Sequence, residues 1–370
     1  MNETNRHLDN SVNSANAVSS ANSVLLTRAE ILRWLRESDE KKLAELWQQA
    51  DATRQQRVGD AVHLRALVEI SNHCIRKCSY CGLHVDHQNL TRYRMNTDEI
   101  LACAHEAVEF GYGTIVMQSG EDYGLTKTFI SDVVRRIKSE TPLAITLSLG
   151  ERMNNELIEW RKAGADRYLL RFETSNPQLY EAIHPSLPNR QSDRFAILRF
   201  LQQLGYETGS GIMVGIPGQR FDTLADDIVA FGELDLDMIG IGPYISHPDT
   251  PLAKKNDIYT SLDSQEQVPN SELMTYKAVA LTRLVCPHAN IPSTTALATI
   301  NRETGRELGL ARGANVVMLN LTPVHYRQLY EIYPAKTCIT ESAEVYRQQL
   351  LKSVEAMGRH FGVGPGGTKR

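Results

Sequence analysis

The sequence predicts an α/β protein, a complete (β/α)8 barrel with an N-terminal helical extension. Three observations lead there: eight short apolar runs rich in β-branched residues, intervals between most of them long enough for an amphipathic helix, and polar or glycine-rich residues directly after several of the runs.

The runs are Val62–Ile70, Thr114–Gln118, Ala144–Leu149, Arg167–Phe172, Gly209–Val214, Met238–Gly242, Ile291–Thr295 and Val316–Leu321. The first, VHLRALVEI, alternates in part and suits a pleated strand. The second to sixth lead into SGED, SLGE, RFET, GIPG and GPY. The C-terminal ends of barrel strands carry the active site.

Ahead of the first run, in residues 24–59, Leu32, Leu35, Leu43, Leu46 and Trp47 recur at near-helical spacing among charges and predict two amphipathic helices. Residues 1–23 are dominated by Asn, Ser and Ala and hold too little apolar surface to offset the entropy of ordering them, so a disordered tail is expected. The barrel takes residues 60–335. Residues 336–370 are assigned to a C-terminal helix and tail, whose final GVGPGG reads as mobile.

Composition narrows the function classes. With 42% hydrophobic and 23% charged residues in 370, the chain can bury a sizeable core without disulfides. Forty basic against forty-four acidic side chains, with no basic block, argue against nucleic acid as a partner. No run approaches the roughly 20 apolar residues of a membrane span, and the N-terminus lacks an apolar leader, so no membrane partner and a cytoplasmic location are expected.

Of six cysteines, three fall within eight residues: Cys74-Ile75-Arg76-Lys77-Cys78-Ser79-Tyr80-Cys81, just after the first run. That crowding points to metal rather than to a disulfide framework. Three thiolates on one loop can hold a [4Fe–4S] cluster and leave one iron without a protein ligand. S-adenosylmethionine (SAM) can chelate that iron through its amino and carboxylate groups and accept an electron, releasing methionine and a 5′-deoxyadenosyl radical. The competing reading is a zinc knuckle completed by His73, His84 or His87, although zinc ligands usually come as pairs separated by a longer loop. Tyr80 would shield the cluster from water, or pack on the barrel rim. Cys103, Cys286 and Cys338 stand alone and read as small buried hydrophobes.

Candidate cofactor ligands follow the strands. In Ser119-Gly120-Glu121-Asp122 a carboxylate can receive the SAM ammonium or cap a helix, and its place beside the cysteine loop favours the ligand role. Arg171 and Glu173 end the fourth strand, where charges in a barrel mouth are costly unless they meet each other or a ligand. Gly211-Ile212-Met213-Val214-Gly215 is similar to the Gly-x-Ile-x-Gly pattern that lays backbone against adenine in radical SAM enzymes, or is a strand with glycines. Thr294 and Thr295 can hydrogen-bond a carboxylate or serve as ordinary β-branched barrel residues.

Longer strings make a resemblance specific. They are YCGL from Tyr80, RYRM from Arg92, QSGED from Gln118, TLSLGE from Thr146, GADRYLLRFET from Gly164, MVGIPGQ from Met213, IGIGPYISHPDTPLA from Ile239, IPSTTAL from Ile291, GANVVMLNLTP from Gly313 and YRQLYEIYP from Tyr326. From about Val58 to Pro334 the chain resembles the HydE family, the radical SAM maturases of [FeFe]-hydrogenase. The resemblance implies a complete barrel around a large anion-accepting cavity, with one [4Fe–4S] cluster and SAM as cofactors. It implies cofactor contacts from Tyr80, Glu121, Glu173, Arg194, Gly211, Met213, Met238 and Tyr333. Substrate contacts would come from Thr146, Arg171, Thr294, Thr295 and Met318.

By the same resemblance, the adenosyl radical attacks the cysteine sulfur of an organometallic iron substrate bearing CO and cyanide, made by the partner HydG. The product goes towards HydF, electrons come from a flavodoxin or ferredoxin, and thiazolidine carboxylates serve as surrogate substrates. One departure stands out: some family members hold a second cluster with three further cysteines near the C-terminus. Here only Cys338 remains, with Tyr346 and Gln349 at the other two spacings, so one cluster per chain is expected. That loss also fits a paralogue working outside hydrogenase assembly. Methylornithine synthase, on a small carboxylate, is a looser match, and biotin synthase needs a second cysteine set that is not evident here. A non-catalytic scaffold for an iron complex is the alternative of a different class, and SAM cleavage separates the two.

Overall fold

Strands form where the β-branched runs lie, and the helices between them bury the outer face of the sheet. The computed structural model describes residues 26–188, 191–254, 265–334 and 343–368; the tail assigned to residues 1–23 and the lone Cys338 lie outside them. The strands are β1 (Ala61–Ser71), β2 (Thr114–Ser119), β3 (Ala144–Ser148), β4 (Arg167–Leu169), β5 (Glu207–Val214), β6 (Met238–Pro243), β7 (Val316–Asn320) and β8 (His360–Phe361). Seven run in the order β6-β5-β4-β3-β2-β1-β7, with every pairing parallel, and curve into a half-barrel. Parallel strands flanked by helices are buried on both faces, which is why the runs read as almost continuously apolar.

The helices carry their own start signals. Asn96 accepts from the Glu99 amide while Glu99 reaches back to the Asn96 amide, opening helix Thr97–Glu109. Trp160, Tyr168, Phe172 and Phe231 are fully enclosed in the core between the sheet and these helices. At the N-terminus, helix Arg28–Arg36 buries Ile31 and Leu35 against helix Phe221–Glu233, where Arg28 also pairs with Asp226. Helix Glu40–Val58 buries Leu43, Leu46 and Ala50 and packs on helix Glu272–Val285.

Two strand assignments differ from the sequence reading. Arg167–Phe172 is regular only to Leu169; beyond it the Phe172 amide donates to the Ser210 hydroxyl at 3.1 Å instead of to a backbone carbonyl. Ile291–Thr295 is not a regular strand. Pro292 has no amide to donate, and Thr294 turns away to cap helix Thr295–Ile300. The segment nevertheless bridges both neighbours: the Ile239 amide donates to the Asn290 carbonyl at 3.0 Å, and the Ser293 amide to the Val316 carbonyl at 2.9 Å. The short β8, absent from the sequence reading, lies parallel to Ala61 and Val62.

After β8 the glycine-rich end is seated, contrary to its reading as a mobile tail. The Pro365 carbonyl accepts from the Thr114 hydroxyl at 2.8 Å and from Arg167 at 3.1 Å. The Gly366 carbonyl accepts from Arg65 at 3.4 Å and Asn290 at 3.2 Å, and the Thr368 hydroxyl donates to the Asp237 carbonyl at 3.2 Å. These partners sit at or near strand N-termini, so the tail plugs the end of the sheet opposite the cysteine loop. Gly113 makes room for it: a Cβ there would lie 1.8 Å from the Gly364 carbonyl oxygen.

Burial, with Arg167 nearby, pushes the Arg65 guanidinium down to about 9, and the tail supplies one of its few acceptors. Truncation after Phe361 is therefore expected to destabilise the fold by on the order of 3 kcal/mol, because several buried donors lose their acceptors together. Chemical denaturation measures this; an unchanged midpoint would show that the tail merely rests on the surface.

Candidate active site

The cysteine loop has no regular secondary structure, so side chains must hold it. Arg92 spans it from below, donating to the carbonyls of Asn72 at 2.6 Å, Leu83 at 2.9 Å and His84 at 2.8 Å. Arg94 forms a two-point pair with Asp122 at 2.6 and 2.9 Å, and the Ser71 hydroxyl at the end of β1 donates to the same carboxylate at 2.7 Å. Backbone amides of Ile75, Ser79 and Gly82 reach the carbonyls of Glu121, Ile183 and Ile332. Gly82 is required at its turn, since a Cβ would lie 2.2 Å from the Glu331 carbonyl oxygen.

Cys78 is buried and Cys74 and Cys81 are partly so. Burial lifts all three thiols, that of Cys81 to about 12. Such thiols become thiolates readily only when a cation arrives. Among the described residues no three His, Cys, Asp or Glu side chains converge on a single-ion site. An iron–sulfur cluster places each cysteine on its own iron, so the donor set fits a [4Fe–4S] cluster better than a zinc knuckle.

Beside the loop lies a cavity of about 340 Å³. Cys81 and Tyr80 form part of its wall. In the same lining the Arg171 Nε sits 3.1 Å from both oxygens of Glu173, while its Nη2 donates to the Ile212 carbonyl at 2.6 Å. Glu173 holds a left-handed backbone with φ of 62°, a conformation costly for a residue with a side chain. Arg194, Met213, Thr294, Thr295, Met318 and Tyr333 line the same cavity.

Four residues predicted to bind ligand do not line the cavity. Glu121 is buried, 2.9 Å from Arg76, and accepts from the Glu151 amide at 2.9 Å and the Tyr123 hydroxyl at 3.3 Å, so its oxygens are already engaged. Met238 is the first residue of β6, below Gly240 and Gly242, and its sulfur takes an Arg65 N–H at 2.8 Å. Gly211 packs against β6, where a Cβ would meet the Gly240 carbonyl oxygen at 2.2 Å. Thr146 lies two residues below the cavity-lining Ser148, with its buried hydroxyl lacking a partner among the described residues. The isolated Cys103 and Cys286 are buried in the core.

Other residues escaped the sequence reading. Arg76, inside the cysteine motif, is buried between two carboxylates, Glu121 and Glu151. Glu151 also meets Arg194 at 3.0 Å and the Ser192 hydroxyl at 2.5 Å. Burial alone would raise the Glu151 carboxyl, but Arg194 and Arg76 hold it below the usual range. Burial, reinforced by Arg194 and Arg76, pushes His184 down to about 2, so its neutral Nε2 accepts from Arg194 at 2.6 Å. The one available signal was the presence of Arg76 and Glu151 inside the singled-out strings.

Residues 68–229 match the profile of the Radical SAM superfamily. The [FeFe] hydrogenase maturase subunit HydE of Thermotoga maritima is 48% identical over 327 residues, covering 88% of this chain and 89% of that protein. The chain belongs to the HydE family of radical SAM enzymes. As a HydE-family member it uses a [4Fe–4S] cluster and SAM. More distantly, 3-methylornithine synthase of Methanosarcina acetivorans is 27% identical over 75% of each chain. The crystal structure of a methylornithine synthase shares the fold, with a TM-score of 0.73 at 23% identity over 91% of this chain and 94% of that one.

In this HydE-family chain the strained Glu173 turn is held by a buried acid. Asp227 accepts from the Ser175 amide and hydroxyl at 2.5 and 2.7 Å, from Thr174 at 3.2 Å and from Gln219 at 3.2 Å. Burial nevertheless lifts its carboxyl to about 7. Well below pH 4 the folded and unfolded states both keep this proton; between about 4 and about 7 only the unfolded state releases it, so stability falls as pH rises through that window. Relative to Asp227→Asn, the native chain is expected to lose roughly 2 kcal/mol between pH 5 and pH 8. Urea midpoints of the two chains across that range test this, and parallel pH profiles would refute it.

Proposed function

We propose that the chain reductively cleaves SAM at one [4Fe–4S] cluster held by Cys74, Cys78 and Cys81, and aims the 5′-deoxyadenosyl radical at a substrate in the adjoining cavity. The observation that carries this is the lining of one cavity by Cys81 and Tyr80 together with Arg171, Glu173 and Arg194. An electron passed to the sulfonium of SAM supplies the radical; the chain's own residues bind, orient and exclude water.

Arg194, Glu173, Met213, Tyr80 and Tyr333 form the cofactor side of the cavity in this reading. Arg171 with Thr294, Thr295 and Met318 forms the substrate side. A guanidinium and two hydroxyls suit a carboxylate ligand. This agrees with a cysteine-ligated iron substrate carrying CO and cyanide, received from HydG and passed towards HydF, with a flavodoxin or ferredoxin as electron donor in the cytoplasm. Asn290–Ser293, hydrogen-bonded on both sides, serves as the eighth stave that closes a complete barrel over residues 60–335. The helices Arg28–Arg36, Glu40–Val58 and Ala343–Ala356 are assigned outside that barrel.

The test is anaerobic reconstitution followed by chemical reduction with SAM. Four irons and four sulfides per chain and formation of 5′-deoxyadenosine are expected, and Cys78→Ala should lose both. One zinc with no sulfide, or a full cluster with no SAM cleavage, would overturn the reading. Arg171→Ala should retain the fold and the cluster yet lower turnover or substrate affinity at least ~10-fold, about 1.4 kcal/mol or more. Native kinetics in that variant would remove Arg171 from the site.

A further inference from the structure

Four buried side chains of alternating charge run from the cysteine loop to the cavity. Glu121 lies 2.9 Å from Arg76, Arg76 lies 2.8 Å from Glu151, and Glu151 lies 3.0 Å from Arg194. Their exposures are 4%, 2%, 1% and 9%, so solvent screens these contacts little. Arg76 sits two residues from both Cys74 and Cys78, whereas Arg194 lines the cavity. The chain therefore begins inside the cluster-holding loop and ends at the proposed SAM site.

Its parts are not interchangeable. Glu151 follows β3 and uses one oxygen for each guanidinium, Oε2 for Arg76 and Oε1 for Arg194. Its backbone amide holds Glu121, the other carboxylate on Arg76. Arg194 has further commitments to the Arg171 carbonyl and the neutral His184, so it points into the cavity wall with little freedom. A purely structural network would need no member on the cavity. When a ligand carboxylate meets Arg194, that guanidinium divides its charge between the ligand and Glu151, and Glu151 leans harder on Arg76. In a low-dielectric interior such a redistribution passes along the chain instead of being lost to water.

We infer that Arg76 and Glu151 are positioning residues that couple occupancy of the cavity at Arg194 to the geometry and electrostatics of the cysteine loop. This rests on the reading of Arg194 as a SAM contact. Loss of the Glu151 charge leaves Arg76 and Arg194 facing each other's positive charge across a neutral amide, loosening the loop and making the reduced, more negative cluster easier to form.

The experiment uses reconstituted full-length chain, with iron content and circular dichroism confirming cluster and fold. SAM is titrated against the electron paramagnetic resonance signal of the reduced cluster, and the SAM-free reduction midpoint is measured, in the native chain, Glu151→Gln and Arg194→Met. Glu151→Gln is expected to keep four irons, to need at least ~10-fold more SAM for the half-maximal spectral change, and to have a raised midpoint. Native titration and midpoint in Glu151→Gln, with SAM binding lost in Arg194→Met, would overturn the coupling and leave the cofactor site standing. Native behaviour in both variants would overturn the site and the coupling together. Should Glu151→Gln fail to fold, Arg76→Lys decides the matter by the same titration, because a single ammonium cannot span two carboxylates as a guanidinium does.

Discussion

Three thiols can share one cluster only if the loop carrying them is fixed, and here that rigidity comes from guanidinium groups. Arg92 collects three carbonyls of the loop, Arg94 ties its far end to Asp122, and Arg76 anchors its middle between Glu121 and Glu151. Arg76, the buried one of the three, is costly to bury and is offset by carboxylates arriving from two different strand ends. The loop is thereby slaved to the parallel sheet: shift β2 or β3, and the carboxylates after them move the cysteines.

The same dependence shapes the cavity. Arg194 reaches it from a helix, held by Glu151 and the neutral His184, and Arg171 and Glu173 reach it from the end of β4. Glu173 can keep its unfavourable backbone because Asp227 gathers the turn behind it. At the opposite end the tail plug supplies acceptors to Arg65 and Arg167. Charged groups thus occupy both ends of the sheet, while the apolar core between the sheet and its helices supplies most of the burial.

Much of this was legible in the sequence. The runs at Val62 and Thr114 announced their strands through β-branched content, and the spacing of Cys74, Cys78 and Cys81 is what motivates the proposed cluster. Ile291–Thr295 misled because its apolar start hides a proline and a capping threonine, which favour a bridge and a helix over a strand. The tail misled because a glycine-rich segment binds through its carbonyls, which leave no mark in side-chain composition. Glu121 lies beside the loop, and its pairing with Arg76 left no mark in the sequence: only three-dimensional packing reveals it. Met238 begins its run in the sequence as it begins β6; what only the packing reveals is the Arg65 N–H on its sulfur.

In the proposed arrangement the loop leaves one iron open and SAM reaches it from the cavity side. Electron–nuclear double resonance on the reduced chain mixed with SAM carrying 15N in its amino group measures this directly. A nitrogen coupling strong enough to require a bond to the cluster is expected. A cluster signal with no such coupling, under conditions where SAM is bound, would contradict it.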